Sequence, residues 1–416
     1  MKNRIAISNV EINRNTCKVN FECSADLECY FDSKHEFYCE YTKDIQSVPT
    51  SIAIIPFICN ILPLIWFTDS ILEIDCIDID FYNSIESFKF GYKKMYPNLE
   101  FRGTVKANNL EYNSECKYDK KKCGTFFSGG VDAFATLIAH INESPDLITV
   151  CGSDIAIGDT VGWERVWSHT TGIAKQFGLR SFAIKTNFRT FINNKNLDIL
   201  CKDGKDSWWH GFQHGIGLIG LSAPLAWING YKTVYIASSF TEADRLAGNY
   251  TCASDPDIDG KVRFCGCKVV HDAFDCTRQE KIKHICQFGE QRNLKFDVRV
   301  CYAVEGGINC CACEKCIRTI MGIYACGVNP ENYGFTLSHS LLKGYKRTVV
   351  SRVTRITLPF WIDIQKIIKS KPELNLPQEL DWIRTIDIMR EKRSIGFRVD
   401  LFLHKAIGKI SRTLKF

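Results

Sequence analysis

Four cysteines near residue 310 have the residue type and spacing of a metal site. Cys310, Cys313 and Cys316 make two successive C-x-x-C steps, and Cys301 precedes them at the end of a strand-like run. Such steps form a tight turn in which thiolates converge, and a fourth thiolate completes a tetrahedron around Zn²⁺. Because four sulfurs leave no open coordination position, we predict a structural Zn²⁺ site. Four unrelated buried cysteines, with Cys311 as a fifth, are the alternative.

The stretch "FFSGGVDAFATL" at 126–137 has the features of a phosphate-binding turn. An apolar strand runs into a glycine turn and then a helix, so backbone N–H groups at a helix N-terminus can approach an anion closely. An Asp in the first helical turn can cap the helix or hold Mg²⁺. A strand–helix turn with an Asp cap and no ligand is the alternative. The residues that we predict to bind the nucleotide here are Ser128, Gly129, Gly130, Val131 and Asp132.

Other polar residues follow the neighbouring predicted strands. Asp154 and Asp159 follow the second strand, and either could bind ribose or Mg²⁺, or neither could. Ser238 and Ser239 follow the fourth strand and are expected to face the cleft. Arg189, after the third strand, could meet a substrate carboxylate or form a surface ion pair.

A histidine pair and a basic helix start complete the candidates. His210 and His214 stand four residues apart in "WWHGFQHG", a spacing that can bind metal, but no third ligand is evident. We expect them to contact substrate or to be structural. Arg278 and Lys281 fall in a first helical turn, where cations oppose the helix dipole, and an anion bound nearby would explain their placement.

These residues need a parallel sheet to bring them together. β-rich runs at 123–127, 146–152, 181–187, 233–239 and 296–302 alternate with helical stretches. This rhythm predicts an α/β fold, a five-stranded parallel sheet with helices on both faces. Right-handed crossovers place the carboxyl ends of all strands at one edge, where ligands bind.

The rest of the chain is predicted to form an accessory region and a tail. Residues 1–120 read as an N-terminal α+β domain whose first 48 residues alternate as half-buried strands do. Residues 121–330 read as the ATP-binding domain with the cysteine site. Residues 331–416 read as a basic helical tail, and its end, 395–416, is expected to pack on the domain; a membrane surface or a partner are alternatives.

Composition limits the classes of protein. The 416 residues are 45% apolar and 24% charged, which is typical of globular chains. Net charge is +6, yet residues 343–416 hold 17 Lys and Arg against 7 Asp and Glu, so the remainder is slightly acidic and stable nucleic-acid binding is not expected. The apolar segment 51–67 contains two prolines and reads as a buried helix–turn, although a membrane-inserted hairpin stays open. With no signal-peptide core and 21 scattered cysteines, we expect a cytoplasmic protein with reduced thiols.

The glycine turn and the cysteine motif, in this order, resemble those of a known family. "SGGVD" is similar to the pyrophosphate loop of the PP-loop ATP pyrophosphatases, and "CYAVEGGINCCACEKC" to the zinc motif of the 7-cyano-7-deazaguanine synthase family. "HDAFDCTRQEKI" also looks like a longer group of synthase-like proteins that have an extra N-terminal region and occur in bacterial biosynthetic and defence gene clusters. Two departures are Ala133, where a hydroxyl residue is usual, and "ASDPDIDG" at 253–260, which replaces the deazaguanine-recognition segment and supplies Asp255 as a substrate contact.

The resemblance implies an ATP-dependent carbon–nitrogen ligase that uses Mg²⁺. It would adenylate a substrate carboxylate, release pyrophosphate stabilised by Arg278 and Lys281, and form an amide or a nitrile. The carboxylate would belong to a small molecule or the acceptor would be a protein N-terminus; a homodimer stays open. Asp132, Arg278 and Lys281 are the predicted catalytic residues. The alternatives are a sulfur-transferring enzyme acting on RNA, with Cys265 and Cys267 as its reactive pair, and a non-catalytic nucleotide-binding adaptor.

Overall fold

The alternating residues at the N-terminus form antiparallel strands, as predicted. A computed structural model describes residues 2–114, 122–248, 250–301, 308–394 and 396. β1 and β2 pair antiparallel, as do β2 and β3, and β4 and β5 continue the sheet in parallel with β1. The elements of this region are β1 (Arg4–Asn13), β2 (Thr16–Cys23), β3 (Glu36–Tyr41), α1 (Thr50–Ala53), α2 (Ile55–Phe67), β4 (Ile71–Asp78), α3 (Ile79–Met95) and β5 (Thr104–Glu111).

Strands and helices alternate after residue 121, again as predicted. The strands are β6 (Lys122–Phe126), β7 (Asp146–Cys151), β8 (Ser181–Thr186), β9 (Tyr231–Ala237), β10 (Arg263–Phe264) and β11 (Cys267–Asp272). The helices are α4 (Val131–Ala139), α5 (Thr160–Gln176), α6 (Asn194–Leu200), α7 (His214–Leu221), α8 (Ala223–Asn229) and α9 (Glu242–Leu246).

All eleven strands belong to one mixed sheet, in the order β10-β11-β9-β6-β7-β8-β3-β2-β1-β4-β5. The α/β class is therefore confirmed, but the prediction of a five-stranded parallel sheet is wrong for the sheet as a whole. The five neighbours from β11 to β8 are parallel. β3 then pairs antiparallel with the outer edge of β8 through Cys39–Thr186 and Tyr41–Ile184, which extends the sheet into the N-terminal strands.

One predicted strand was misplaced. The run 296–302 forms no strand over its described residues, 296–301, and the fifth parallel strand is β11. Both runs are apolar and rich in β-branched residues. Only pairing with β9, from Lys268–Thr233 to Asp272–Ala237, selects β11.

The apolar segment 51–67 is buried inside the first unit of the fold. All but the last residue of α2 are buried, and the Asn60 amide donates to the carbonyl oxygens of Pro56 (2.8 Å) and Gly217 (3.2 Å). Burial against α7 explains its all-round hydrophobicity. Within the described residues, no helix has both the length and the apolar character needed to span a membrane.

Contacts divide the chain into two units, Met1–Thr277 and Arg278–Phe416. The second unit is helical and includes part of the predicted helical tail; residues 397–416, the greater part of its last segment, lie outside the described residues. The three-part division at residues 120 and 330 stays a prediction. The helices of the second unit are α10 (Arg278–Arg292), α11 (Glu314–Ala325), α12 (His339–Arg352), α13 (Leu358–Ser370) and α14 (Ile388–Arg393).

Candidate functional site

The glycine turn lies where the parallel strand order reverses. From β6 the chain moves outward to β7 and β8, and then returns to place β9 on the other side of β6. A crevice opens at such a point because the connections on its two sides diverge, and ligands of open α/β sheets bind there. Residues 128–130 follow β6 directly, so the turn stands at this crevice.

The turn has the backbone conformation that a close anion contact needs. Gly129 has φ +78°, a left-handed conformation that favours glycine, and Gly130 is the N-cap of α4. The Gly130 N–H lies 3.4 Å from Ser128 Oγ, and Ser128 is exposed. Val131, the first helical residue, is buried and anchors the helix start.

Asp132 faces the loop that follows β9. The Ser239 hydroxyl donates to Asp132 Oδ2 over 3.4 Å, and Ser239 is exposed. Ser238 is buried and its hydroxyl donates to the Phe240 carbonyl oxygen over 2.6 Å, which shapes the loop. The side chain at 133, where Ala replaces the usual hydroxyl residue, is buried.

The loops after β7 and β8 bring Asp154 and Arg189 to the same edge. The Arg189 guanidinium stacks on the Trp209 ring at 3.7 Å. Burial lowers the pKa of Arg189, while the charge of Asp154 acts in the opposite direction, so the two side chains are electrostatically coupled. Arg189 Nε is buried and has no hydrogen-bond partner among the described residues. Asp159 caps α5 by accepting from the Gly162 N–H at 2.8 Å, which favours its structural alternative.

The histidine pair lies on an irregular helical turn. Trp209–Gln213 is a π-helical turn that leads into α7, a feature found frequently at functional sites. His210 Nδ1 lies 3.0 Å and 3.2 Å from the two Asp206 oxygens. A Cβ atom at Gly215 would lie 2.3 Å from the Ala253 carbonyl oxygen, so the helix and the segment at Ala253 pack backbone to backbone.

Cys252 is the residue at this site that the sequence did not single out. The N–H of the next residue, Ala253, donates to the His210 carbonyl oxygen at 2.8 Å, which holds this segment beside the histidines. Burial alone would raise the pKa of Cys252, but these two imidazoles more than offset it and lower the pKa to about 7. Hydrogen bonds to Asp206 and to Cys252 raise the pKa of His210 to about 10. No spacing rule connects position 252 with 206 or 210, so the fold alone reveals the cluster.

Asp255 holds its own segment in place. Its carboxylate accepts from Arg245 Nη1 at 3.2 Å and from the Tyr250 hydroxyl at 2.9 Å, and it is buried. It lines a pocket of about 200 Å³ together with Thr251 and Lys94. A substrate contact by Asp255 stays a prediction.

The two cysteines proposed for sulfur transfer are part of a hairpin. Cys265 and Cys267 are both buried and lie around the turn between β10 and β11. Desolvation raises the pKa of Cys267 well above the range of a reactive thiol. Both positions are those of buried structural thiols and not of a reactive pair.

Arg278 and Lys281 belong to the second unit. Both lie in the first turn of α10, as the sequence predicted, and Lys281 is buried. The Arg278 guanidinium lies 5.6 Å from the Phe360 ring centre. Their assignment to pyrophosphate stays a prediction.

The four predicted metal ligands converge within the second unit. Cys301 Sγ lies 3.9 Å from Cys313 Sγ, and Cys310 Sγ lies 3.9 Å from Cys316 Sγ. All four sulfur atoms are within 4.8 Å of one another. A tetrahedron with Zn–S bonds of about 2.3 Å has edges of about 3.8 Å, so the cluster fits Zn²⁺ without rearrangement.

Backbone N–H groups support the same thiols. Cys310 Sγ accepts from the N–H of Cys313 at 3.3 Å, and Cys313 Sγ accepts from the N–H of Cys316 at 3.5 Å, which begins α11. Such bonds favour thiolates and fix their orientation. The cluster could therefore hold a metal ion such as Zn²⁺. Among the described residues, the histidine pair is not part of any group with three converging ligands.

Comparisons of the chain with family models, with curated proteins and with solved structures find no match.

Proposed function

We propose that this chain is an ATP-dependent ligase of the PP-loop type that adenylates a substrate carboxylate and releases pyrophosphate. The observation that carries the proposal is the position of the glycine turn. A Ser-Gly-Gly bend with an exposed Ser128 and a left-handed Gly129 opens a helix at the point where the parallel strand order reverses. Helix N–H groups at such a crevice are suited to the β- and γ-phosphates of ATP.

The surrounding residues have roles that follow from their placement. Backbone N–H groups of residues 129–131 and the Ser128 hydroxyl would hold the phosphates, and Asp132 would hold Mg²⁺, whose charge offsets that of the leaving pyrophosphate. Arg189 is suited to the substrate carboxylate because its guanidinium is already desolvated against Trp209 and one of its N–H groups is buried without a partner among the described residues.

The cysteine cluster would have a structural role. Four thiolates saturate Zn²⁺, so the ion would stabilise the start of α11 and take no part in the chemistry. An amine or ammonia would then displace AMP from the acyl-adenylate to give an amide, and the 7-cyano-7-deazaguanine synthase resemblance adds a nitrile as a further product.

The test is the identity of the nucleotide product. Purified full-length chain, incubated with ATP, Mg²⁺ and a carboxylated deazaguanine, and then with products of neighbouring genes, is expected to release AMP and pyrophosphate. Asp132→Asn, which preserves shape and removes the charge, should reduce release by about 10²–10³-fold. Asp26 is an exposed acid in the short helical turn after β2, and Asp26→Asn should leave pyrophosphate release unchanged. Release of ADP and phosphate instead would overturn the assignment.

A further inference from the structure

A buried cysteine is held between two histidines at the ligand-binding edge. Cys252 is 4% exposed, and the N–H of the next residue, Ala253, donates to the His210 carbonyl oxygen at 2.8 Å. The charges of His210 and His214 act on the Cys252 thiol. The Asp206 carboxylate binds His210 Nδ1 at 3.0 Å. A thiol, an imidazole and a carboxylate connected in this order form the arrangement that activates cysteine nucleophiles.

The carboxylate is itself held by two hydroxyl groups. Tyr96 donates to Asp206 Oδ2 at 2.9 Å, and Thr251, which directly precedes the cysteine, donates to the same oxygen at 2.6 Å. Gly211 permits this packing because a Cβ atom there would lie 2.7 Å from the Tyr96 hydroxyl oxygen and 2.9 Å from the Asp206 carboxyl carbon. Asp206 is therefore in a position to fix the orientation of His210.

The cluster is connected to the phosphate turn by direct contacts. Ser239 donates to Asp132, and the next residue, Phe240, stacks on Tyr250 with ring centres 4.3 Å apart. Cys252 follows two residues later. On the other side, the Trp209 ring lies between Arg189 (3.7 Å) and His214 (4.9 Å between ring centres).

Cys252 is buried beside residues that reach solvent. The His210 side chain is 45% exposed, and the residues flanking Cys252 on its N-terminal side, Tyr250 and Thr251, line the pocket of about 200 Å³. The Cys252 backbone N–H donates to Met95 Sδ at 3.4 Å, and Met95 lines the same pocket. The segment that carries the thiol therefore borders a cavity.

We propose that Cys252 is a covalent acyl carrier of this site, activated by His210 and positioned through Asp206. The inference rests on the proposed adenylation. The Cys252 thiolate attacks the carbonyl carbon of the acyl-adenylate, a C–S bond forms, and the C–O bond to AMP breaks with its electron pair on AMP. An amine then attacks the thioester, a C–N bond forms, and the C–S bond breaks with its electron pair on sulfur. The proton that the amine loses goes to solvent water, because His210 stays protonated throughout.

A thioester intermediate has a physical advantage here. AMP leaves before the amine enters, so the site need not hold both at once, and the reactive acyl group stays bound while the second substrate binds. The imidazolium of His210 stabilises the thiolate both as nucleophile and as leaving group. The groups whose charges act on this pair are His214, Tyr92, Tyr96 and Tyr250 around Cys252, and Asp154 and Asp259 around His214.

The first experiment measures the thiol directly and needs no substrate. Full-length chain is alkylated with iodoacetamide from pH 5 to 9, and each cysteine is quantified by mass spectrometry. We expect Cys252 labelling to reach half of its maximal rate near pH 7, because the thiolate is half formed there. At pH 7 a thiol with pKa near 9 is ionised about 50-fold less. Cys59, buried in α2 with its pKa raised by desolvation, is the matched control.

His210→Gln and Asp206→Asn should both shift the Cys252 profile to higher pH. If the cluster had only a structural role, a variant that keeps its fold would show no such shift. Circular dichroism checks that each variant keeps its fold. Labelling of Cys252 that is no faster than that of Cys59 at pH 7 would overturn the inference.

The second experiment separates the inference from the proposed function. With ATP, Mg²⁺ and a carboxylated deazaguanine but no amine, we expect a hydroxylamine-sensitive acyl adduct on the Cys252 peptide. Cys252→Ser should still release pyrophosphate in a single turnover, while amide formation with ammonia falls about 10²-fold. Amide formation at the wild-type rate in Cys252→Ser would overturn the acyl carrier alone. No pyrophosphate release from the wild-type chain would overturn the proposed function. The alkylation experiment would then still show whether Cys252 is a thiolate near pH 7.

Discussion

His210 and its partners show how much of the site depends on single residues. The spacing of His210 and His214 indicated either a structural or a substrate role. A Cβ atom at Gly215 would lie 2.3 Å from the Ala253 carbonyl oxygen, so α7 packs closely on the segment that carries Cys252. The thiol that this packing brings to the histidines lies on a separate segment, which follows α9 in the chain.

A substitution at Gly129 tests whether the glycine turn binds phosphate. Gly129→Ala should raise the KM for ATP about 10-fold, because an alanine at φ +78° costs about 1–2 kcal/mol and displaces the N–H groups of the turn. The measurement is the rate of pyrophosphate release against ATP concentration. Gly172→Ala is the matched control, since a Cβ atom there meets open space on α5. An unchanged KM in Gly129→Ala would contradict a phosphate-binding role for the turn.

At the scale of elements, strand ends and helix starts position almost every candidate. β6 leads into the glycine turn, the loops after β7 and β8 carry Asp154 and Arg189, and the loop after β9 carries Ser239. α11 begins at Glu314, directly after the third cysteine, with the Cys313 thiol as its N-cap. This order explains why the motifs were recognisable: each stands at a boundary where residue choice is constrained by backbone geometry.

The cysteine cluster provides the prediction at this scale. Cys310→Ser should abolish the binding of one metal ion per chain and lower the unfolding temperature by about 10 °C or more, because each 1 kcal/mol corresponds to about 2–4 °C in a unit of this size. Metal content is measured by mass spectrometry and unfolding by calorimetry. Cys311→Ala is the control, since its sulfur is not in the converging group. Equal metal content in both variants would contradict the four-thiolate site.

At the scale of the whole molecule, the N-terminal strands continue the sheet that carries the candidate site. β3 pairs with β8, and Tyr41 donates from its hydroxyl to the Leu221 carbonyl oxygen at 3.1 Å, which joins the two halves of the first unit. Phe37 packs against Phe57 of α2 and against Phe191, which follows β8. The N-terminal region is therefore built into the same sheet as the site.

This continuity predicts that the two halves of the first unit unfold together. Phe37→Ala should lower the free energy of unfolding of the first unit by about 3–5 kcal/mol, because Phe37 is buried and large-to-small changes in closely packed cores have this cost. Hydrogen exchange should then show an equal loss of protection in β6, β7 and β9. Val161→Ala, at an exposed position of α5, is the control. Undisturbed protection in β6 to β9 would mean that the N-terminal strands form an independent domain.

The sequence by itself determined the local features: the Ser-Gly-Gly bend between strand and helix, the two C-x-x-C steps, four of the five parallel strands, the strands of residues 1–48 and the buried helical segment 51–67. Each depends on interactions between residues that are close in the chain, which spacing and periodicity express directly. The tertiary structure decided which edges pair, so that eleven strands form one sheet, β11 and not 296–302 becomes the fifth parallel strand, and Cys252 meets His210. Those outcomes depend on contacts between distant segments, whose free energy is not encoded in any local pattern.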